Sequence, residues 1–367
     1  MKLWHIAALL IVGVAVGAAL PGRLTGVFGT ATLYVFLPAL IFEAAWHLDA
    51  RLMRRNWRPI ALLAIPGVAL TAAIIAVCVH YVAGFAWQPA ILLGAILSAT
   101  DPVAVVTVFR RLSLPRALAT IVESESLLND AVAVVVYRAA LAVIVASAGA
   151  AGVWQVASQA AIGVAVGIAI GIALAYLSAF ALHDAVSAPV QSVATLIGAY
   201  GAYFIAEQFG WSGIFATLAF GIALRELERQ RITVTAAAGV ERFWDGAAVV
   251  ANIALFFLIG AALDFTRLVH SFPAAGVTLA AVLLSRSVLA YGLLTLARDL
   301  LRPFWMTVVR MAGIRGALSL ALALATPVAV AQRGTIVDAT FAVVIVTILA
   351  GALTLKPRLR RIPLNEG

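Results

Sequence analysis

The sequence predicts an all-α, polytopic membrane protein of about twelve transmembrane helices. Three observations predict it: the apolar content, the spacing of the apolar stretches and the placement of Lys and Arg. Hydrophobic residues make up 64% of the 367 residues and charged ones only 11%, with a mean hydropathy of +1.08. A single water-soluble core cannot enclose that much apolar surface, so lipid must supply part of the solvent. A helix crosses the hydrocarbon in roughly 20 residues, and short polar links cut the chain into stretches of about that length. Of the 25 Lys and Arg residues, 18 fall at the termini or in links on their side, and three (Arg23, Arg267 and Arg333) fall on the other. Short links rich in Lys and Arg stay in the cytoplasm, so both termini are expected there, with the chain in the plasma (cell inner) membrane. Dropping or adding a helix midway would scramble this alternation.

In chain order, spans are expected at residues 4–20, 28–47, 57–82, 89–109, 118–146 and 153–181. Six more are expected at 189–208, 211–224, 243–263, 272–297, 304–325 and 335–355. Together they read as one transmembrane domain over residues 1–367. The first run is long for the core of a cleavable signal peptide and is read as a span. The longest link, 225–245, mixes both charge signs and is read as a surface connection. A formal charge of +9 raises the question of nucleic acid. The basic residues lie in short links with no folded basic domain to carry them, so no nucleic-acid partner is expected. Cys78 is the sole cysteine, which excludes a disulfide within the chain and leaves no zinc or redox spacing.

Ionisable groups at membrane depth cost about 2.5–3.5 kcal/mol each on insertion scales, so they ask for a partner, a water-filled cavity or a function. In the fourth span Ser98-Ala99-Thr100-Asp101-Pro102 predicts a helix break, because Pro102 lacks a donor and clashes with the carbonyl of Ser98. Freed carbonyls and helix ends at such a break bind ions; a plain proline kink is the alternative. The fifth span carries Glu123-Ser124-Glu125-Ser126-Leu127-Leu128-Asn129-Asp130. Glu125 and Asn129, like Ser126 and Asp130, are one turn apart, so these four polar groups share one helix face. Carboxylates, a hydroxyl and an amide oxygen suit a hard cation, and carboxylates also take protons, which is the competition an exchanger needs. Interhelical hydrogen bonding is the structural alternative for Ser126 and Asn129.

Arg286 and Arg315 lie too deep to snorkel, so one of them is expected to pair with Glu125 or Glu123. Small residues in Gly313-Ile314-Arg315-Gly316 predict a second broken helix, and a broken span in each half is the pattern of inverted-repeat transporters. Glu43 sits near the inner end of the second span, where snorkelling also explains it. His5, His47, His80, His183 and His270 fall near span ends and are read as interfacial.

Taken in order, Phe42-Glu43, Thr100-Asp101-Pro102, Glu125 to Asp130 and Gly313 to Gly316 resemble the NhaP-type sodium/proton antiporters, from roughly the first span to the last. That resemblance implies a secondary transporter, not an enzyme. It would have two broken, crossing helices, membrane lipid around it and a homodimeric state, with no cofactor beyond the transported Na+ and H+. It implies that Asp130 binds sodium or protons with Asn129 beside it. Ser126, Glu125 and the Thr100 carbonyl would complete or border the site, and Glu43 would reach it from the cytoplasmic side. Asp130, Ser126 and Thr100 would be the sodium ligands. Asp101, Arg286 and Arg315 are supporting residues, with Arg286 paired to the Glu125 position and Arg315 holding the crossing. An Asn-Asp pair implies electroneutral exchange. Two departures are visible: Ser124 stands where relatives often have glycine, and relatives often have one more span at the N-terminus.

Other classes fit less well. An intramembrane aspartyl protease also needs two membrane carboxylates, but its glycine-rich aspartate motif is missing. A cation channel usually repeats its filter around a symmetry axis, whereas these groups are asymmetric within one chain. Sodium, lithium and potassium accept the same oxygen ligands, which leaves K+/H+ exchange as the nearest alternative.

Overall fold

A computed structural model of the chain describes residues 3–19, 25–101, 115–145, 150–181, 187–229, 234–261, 271–293 and 303–359. No strand is present among the described residues. The elements begin with α1 (Leu3–Ala19), α2 (Thr25–His47), α3 (Ala50–Arg55), α4 (Trp57–Ala64), α5 (Pro66–Ala83) and α6 (Trp87–Ile96). They continue with α7 (Arg116–Val145), α8 (Ala150–Ala181), α9 (Ala188–Gln208), α10 (Gly213–Glu228) and α11 (Val234–Ala261). Then come α12 (Phe272–Val288), a π-helical turn (Leu289–Leu293), α13 (Pro303–Met311), α14 (Ala317–Ala325) and α15 (Arg333–Leu359). Among the described residues, five helical runs are long and apolar enough to cross a membrane: Trp57–Ala83, Arg116–Val145, Gly152–Ala181, Phe272–Gly292 and Arg333–Gly351.

Several expected spans are interrupted, for local reasons. The third bends at Ile65, because Pro66 has no N–H to offer and opens α5 at its first turn. The fourth stops being helical after Ile96, ahead of Ser98, and residues 97–101 run on without helix. Pro102, on which the expected break was centred, lies outside the described residues. The eleventh separates into α13 and α14 around the non-helical residues 312–316. Contrary to the reading of 225–245 as a surface connection, α11 begins at Val234 and converts the second half of that link into helix. The run Ala236-Ala237-Ala238 there is a strong helix former.

Packing groups the chain into two compact units, chiefly residues 30–50 and 142–255 in the first, and residues 2–29, 51–141 and 256–367 in the second. The first unit is built around aromatic side chains. Phe42 lies 4.3 Å from Trp244, 5.6 Å from Trp46 and 5.6 Å from Phe220, ring centre to ring centre. Trp244 Nε1 donates to Thr195 Oγ1 at 2.9 Å, so the buried indole keeps a partner. Its α8 presents Gly163, Gly167 and Gly171 one turn apart. A Cβ at Gly167 would collide with the Ser212 carbonyl, and one at Gly171 with that of Ala216. Helices in lipid gain little from burying apolar surface against one another, so this close backbone approach is what binds α8 to α10.

In the second unit α5 packs on α6, α12 packs on α5 and α15, and α14 packs on α15. Gly94 of α6 meets the backbone of α5 at Ala72, where a side chain would not fit. Val68, Ala99 and Ala133 form a small buried cluster with Val132, Val136 and Leu318 packed against it. This brings the non-helical residues after α6 to the polar face of α7.

Candidate ion-binding site

The two non-helical stretches of the second unit meet directly. Asp101 N donates to Ile314 O at 2.8 Å. A helix that ends leaves carbonyls without partners, and Arg315 supplies them: its Nη1 donates to Ser98 O at 2.8 Å and to Ala99 O at 2.9 Å. Arg315 is only 1% exposed, and its own N–H donates to Thr347 Oγ1 at 3.2 Å. Of the two deep arginines, Arg315 takes main-chain oxygens.

Arg286 meets the carboxylate. Its Nη1 and Nη2 donate to Glu125 Oε1 at 2.9 Å and Oε2 at 3.3 Å, and its Nε donates to Val309 O at 3.1 Å. With Glu125 1% and Arg286 5% exposed, this is a two-point ion pair shielded from solvent, the geometry in which arginine outperforms lysine. Both glycines of Gly313-Ile314-Arg315-Gly316 now have reasons. A Cβ at Gly313 would press on the Arg286 side chain, and one at Gly316 would overlap the Asp101 carboxylate.

Around Thr100 the polar ledge of α7 closes into a network. Thr100 N donates to Asp130 Oδ1 at 3.1 Å and Thr100 Oγ1 donates to Ser126 Oγ at 3.2 Å. Asn129 Nδ2 donates to Thr100 Oγ1 at 3.3 Å and to Glu125 Oε1 at 3.4 Å. A carboxylate only accepts, which sets the orientation of the amide and leaves Asn129 Oδ1, buried and without a protein partner, as an open acceptor. Ser124 is fully buried with its hydroxyl likewise unpartnered. The structure therefore gathers Thr100, Asp101, Glu125, Ser126, Asn129, Asp130, Arg286 and Arg315 within the second unit.

Glu43 belongs to the first unit. There it neighbours His47. His47 Nε2 lies 3.3 Å from Asp245 Oδ1 and 3.7 Å from Glu241 Oε1, and Nδ1 lies 3.5 Å from Glu43 Oε1. The signal was present in the sequence as Glu43 and His47 one turn apart, and Glu241 and Asp245 one turn apart.

Helical membrane proteins that gather carboxylates and main-chain groups at an interrupted helix are characteristically secondary transporters. This chain belongs to the family described as "Sodium/hydrogen exchanger, transmembrane", whose model matches residues 1–361. It is 33% identical over 366 residues to the Na+/H+ antiporter ApNhaP of Aphanothece halophytica, covering 97% of this chain and 69% of that one. It is 32% identical to the low-affinity Na+/H+ antiporter NhaS1 of Synechocystis, covering 96% and 68%. The fold matches that of the sodium proton antiporter MjNhaP1 of Methanocaldococcus jannaschii with a TM-score of 0.81 at 20% identity, over 95% of this chain and 92% of that one. The chain is thus a multi-pass membrane protein of a transporter family.

Proposed function

We propose that this protein exchanges sodium for protons by alternating access, with Asp130 as the group that holds either ion. The observation that carries this reading is the unequal treatment of two neighbouring carboxylates. Glu125 is held at two points by Arg286, whereas Asp130 accepts from the Thr100 main-chain N–H and stays partly exposed. A carboxylate locked to a guanidinium cannot trade its partner each cycle; one held by a neutral amide can. Ser126 and the carbonyl of Thr100 are the further oxygen ligands in this proposal, and Asn129 Oδ1 borders the site. Because one carboxylate alternates between one sodium and one proton, exchange is electroneutral. The two compact units act as one transmembrane domain, in a homodimer of the inner membrane.

Purified protein in proteoliposomes tests this. Asp130→Asn is isosteric and cannot bind a proton, so it should leave the fold intact and reduce sodium-driven proton movement to background. The wild type should exchange at the same rate under any voltage imposed with potassium and valinomycin. Undiminished exchange by Asp130→Asn would remove the aspartate from the mechanism, and a voltage-dependent rate would remove electroneutrality alone.

A further inference from the structure

We propose that His47, Asp245 and Glu43 form a binding site for a borderline divalent transition-metal ion, of which Zn2+ is the type. The site lies within the first unit, at the C-terminal end of α2 and on α11. Two pairs of residues one turn apart, Glu43 with His47 and Glu241 with Asp245, converge on one imidazole. Glu43, His47 and Asp245 each offer a ligand atom within 4.8 Å of the others.

The imidazole's protons decide what the cluster lacks. Nδ1 is 2.9 Å from the Glu43 carbonyl oxygen, which only accepts, so Nδ1 carries a hydrogen and donates it there. In the neutral ring Nε2 then bears a lone pair. That lone pair faces Asp245 Oδ1 at 3.3 Å and Glu241 Oε1 at 3.7 Å, both acceptors. Acceptors facing one another need a positive centre between them, which is either a proton on Nε2 or a metal ion.

The separation of His47 from Asp245 suits the ion. Tetrahedral ligands about 2.0–2.1 Å from zinc are themselves roughly 3.3–3.4 Å apart, which is the separation of Nε2 from Oδ1. A main-chain carbonyl holding the other ring nitrogen is the usual support of a metal-binding histidine. Nitrogen beside carboxylate oxygens suits borderline divalent ions better than sodium or potassium, which prefer oxygen alone. Arg225 is 3.6 Å from the far oxygen of Glu241 and lies over the Trp46 ring at 4.8 Å.

The test is zinc binding by the full-length protein in detergent, with a purification tag that contains no histidine and after treatment with a chelator. Equilibrium dialysis should find one Zn2+ per chain. His47→Gln and Asp245→Asn should each weaken binding roughly tenfold or more. X-ray absorption of bound zinc should show one imidazole nitrogen with oxygen neighbours, and this reading does not depend on how the variants fold. No zinc retained in excess metal, which would leave an imidazolium alone among the carboxylates, overturns the proposal. So do equal binding by variants that melt like the wild type and an absorption spectrum without imidazole.

Discussion

Glu125 and Arg286 show what a buried charge demands of its partner. Removing one member of such a pair leaves the other desolvated and uncompensated, at a cost of about 3–5 kcal/mol. Arg286→Ala should therefore lower the thermal midpoint in detergent markedly, and Glu125→Gln/Arg286→Ala should recover part of that loss. A double-mutant cycle measures the coupling, and strictly additive losses would show that the pair contributes nothing as a pair. Glu228, in the link that follows the eighth predicted span, presents the opposite case. Burial pushes its carboxyl up to about 8 from the ordinary 4.5, against an opposing pull from Arg225. An acid whose pKa is higher in the folded chain stabilises the fold while protonated. That contribution is complete below the unfolded value and is lost as pH rises through the folded one. The thermal midpoint should accordingly fall between about pH 5 and pH 8, and Glu228→Gln, always neutral, should flatten that decline. A variant as steep as the wild type would assign the slope to other groups.

Main-chain groups become available in this molecule where helices stop. Within a helix every main-chain group is satisfied, so it has nothing to offer an ion or a crossing segment. The residues after α6 and between α13 and α14 are free of that constraint, and Asp101 and Ile314 join through them. The approach tolerates no side chain at Gly316, whose Cβ would fall on the Asp101 carboxylate. Gly316→Ala should therefore lower both exchange and the thermal midpoint. Gly276→Ala on α12, where a Cβ meets nothing within 4 Å, should leave the midpoint unchanged or raise it slightly, since alanine favours helix. Equal behaviour of the two variants in a melting experiment would show that the close approach at Gly316 is not required.

At the scale of the whole molecule the distribution of Lys and Arg makes the sharpest statement. With 18 of 25 positive residues at the termini or in links on their side, insertion should leave both ends in the cytoplasm. Reporters fused before Met1 and after Gly367 should both be active or labelled only on the cytoplasmic face. An external C-terminus would mean an odd number of spans after a cytoplasmic N-terminus. The family match over residues 1–361 and the fold shared with MjNhaP1 concern the same length of chain.

By itself the sequence determined what local physics controls. Apolar run length set the membrane class and the helical fold. Spacing along one helix put Glu125, Ser126, Asn129 and Asp130 on a single face, because a turn of helix is the same wherever it occurs. Pro and Gly marked where helices fail, though not the residue at which α6 stops. The tertiary structure alone decided which group meets which. Arg286 finds Glu125 across 161 residues and Arg315 finds the Ser98 carbonyl across 217, and no periodicity reaches that far. Chain order left Glu125 and Glu123 equally eligible for either arginine, and only the family resemblance singled out Arg286 with Glu125. Packing separated them by giving one arginine a carboxylate and the other the open end of a helix. His47 illustrates the same division. Its turn-mate Glu43 was legible from a spacing of four, but Glu241 and Asp245 arrive from another helix, and only the packing of the first unit surrounds the imidazole with carboxylates.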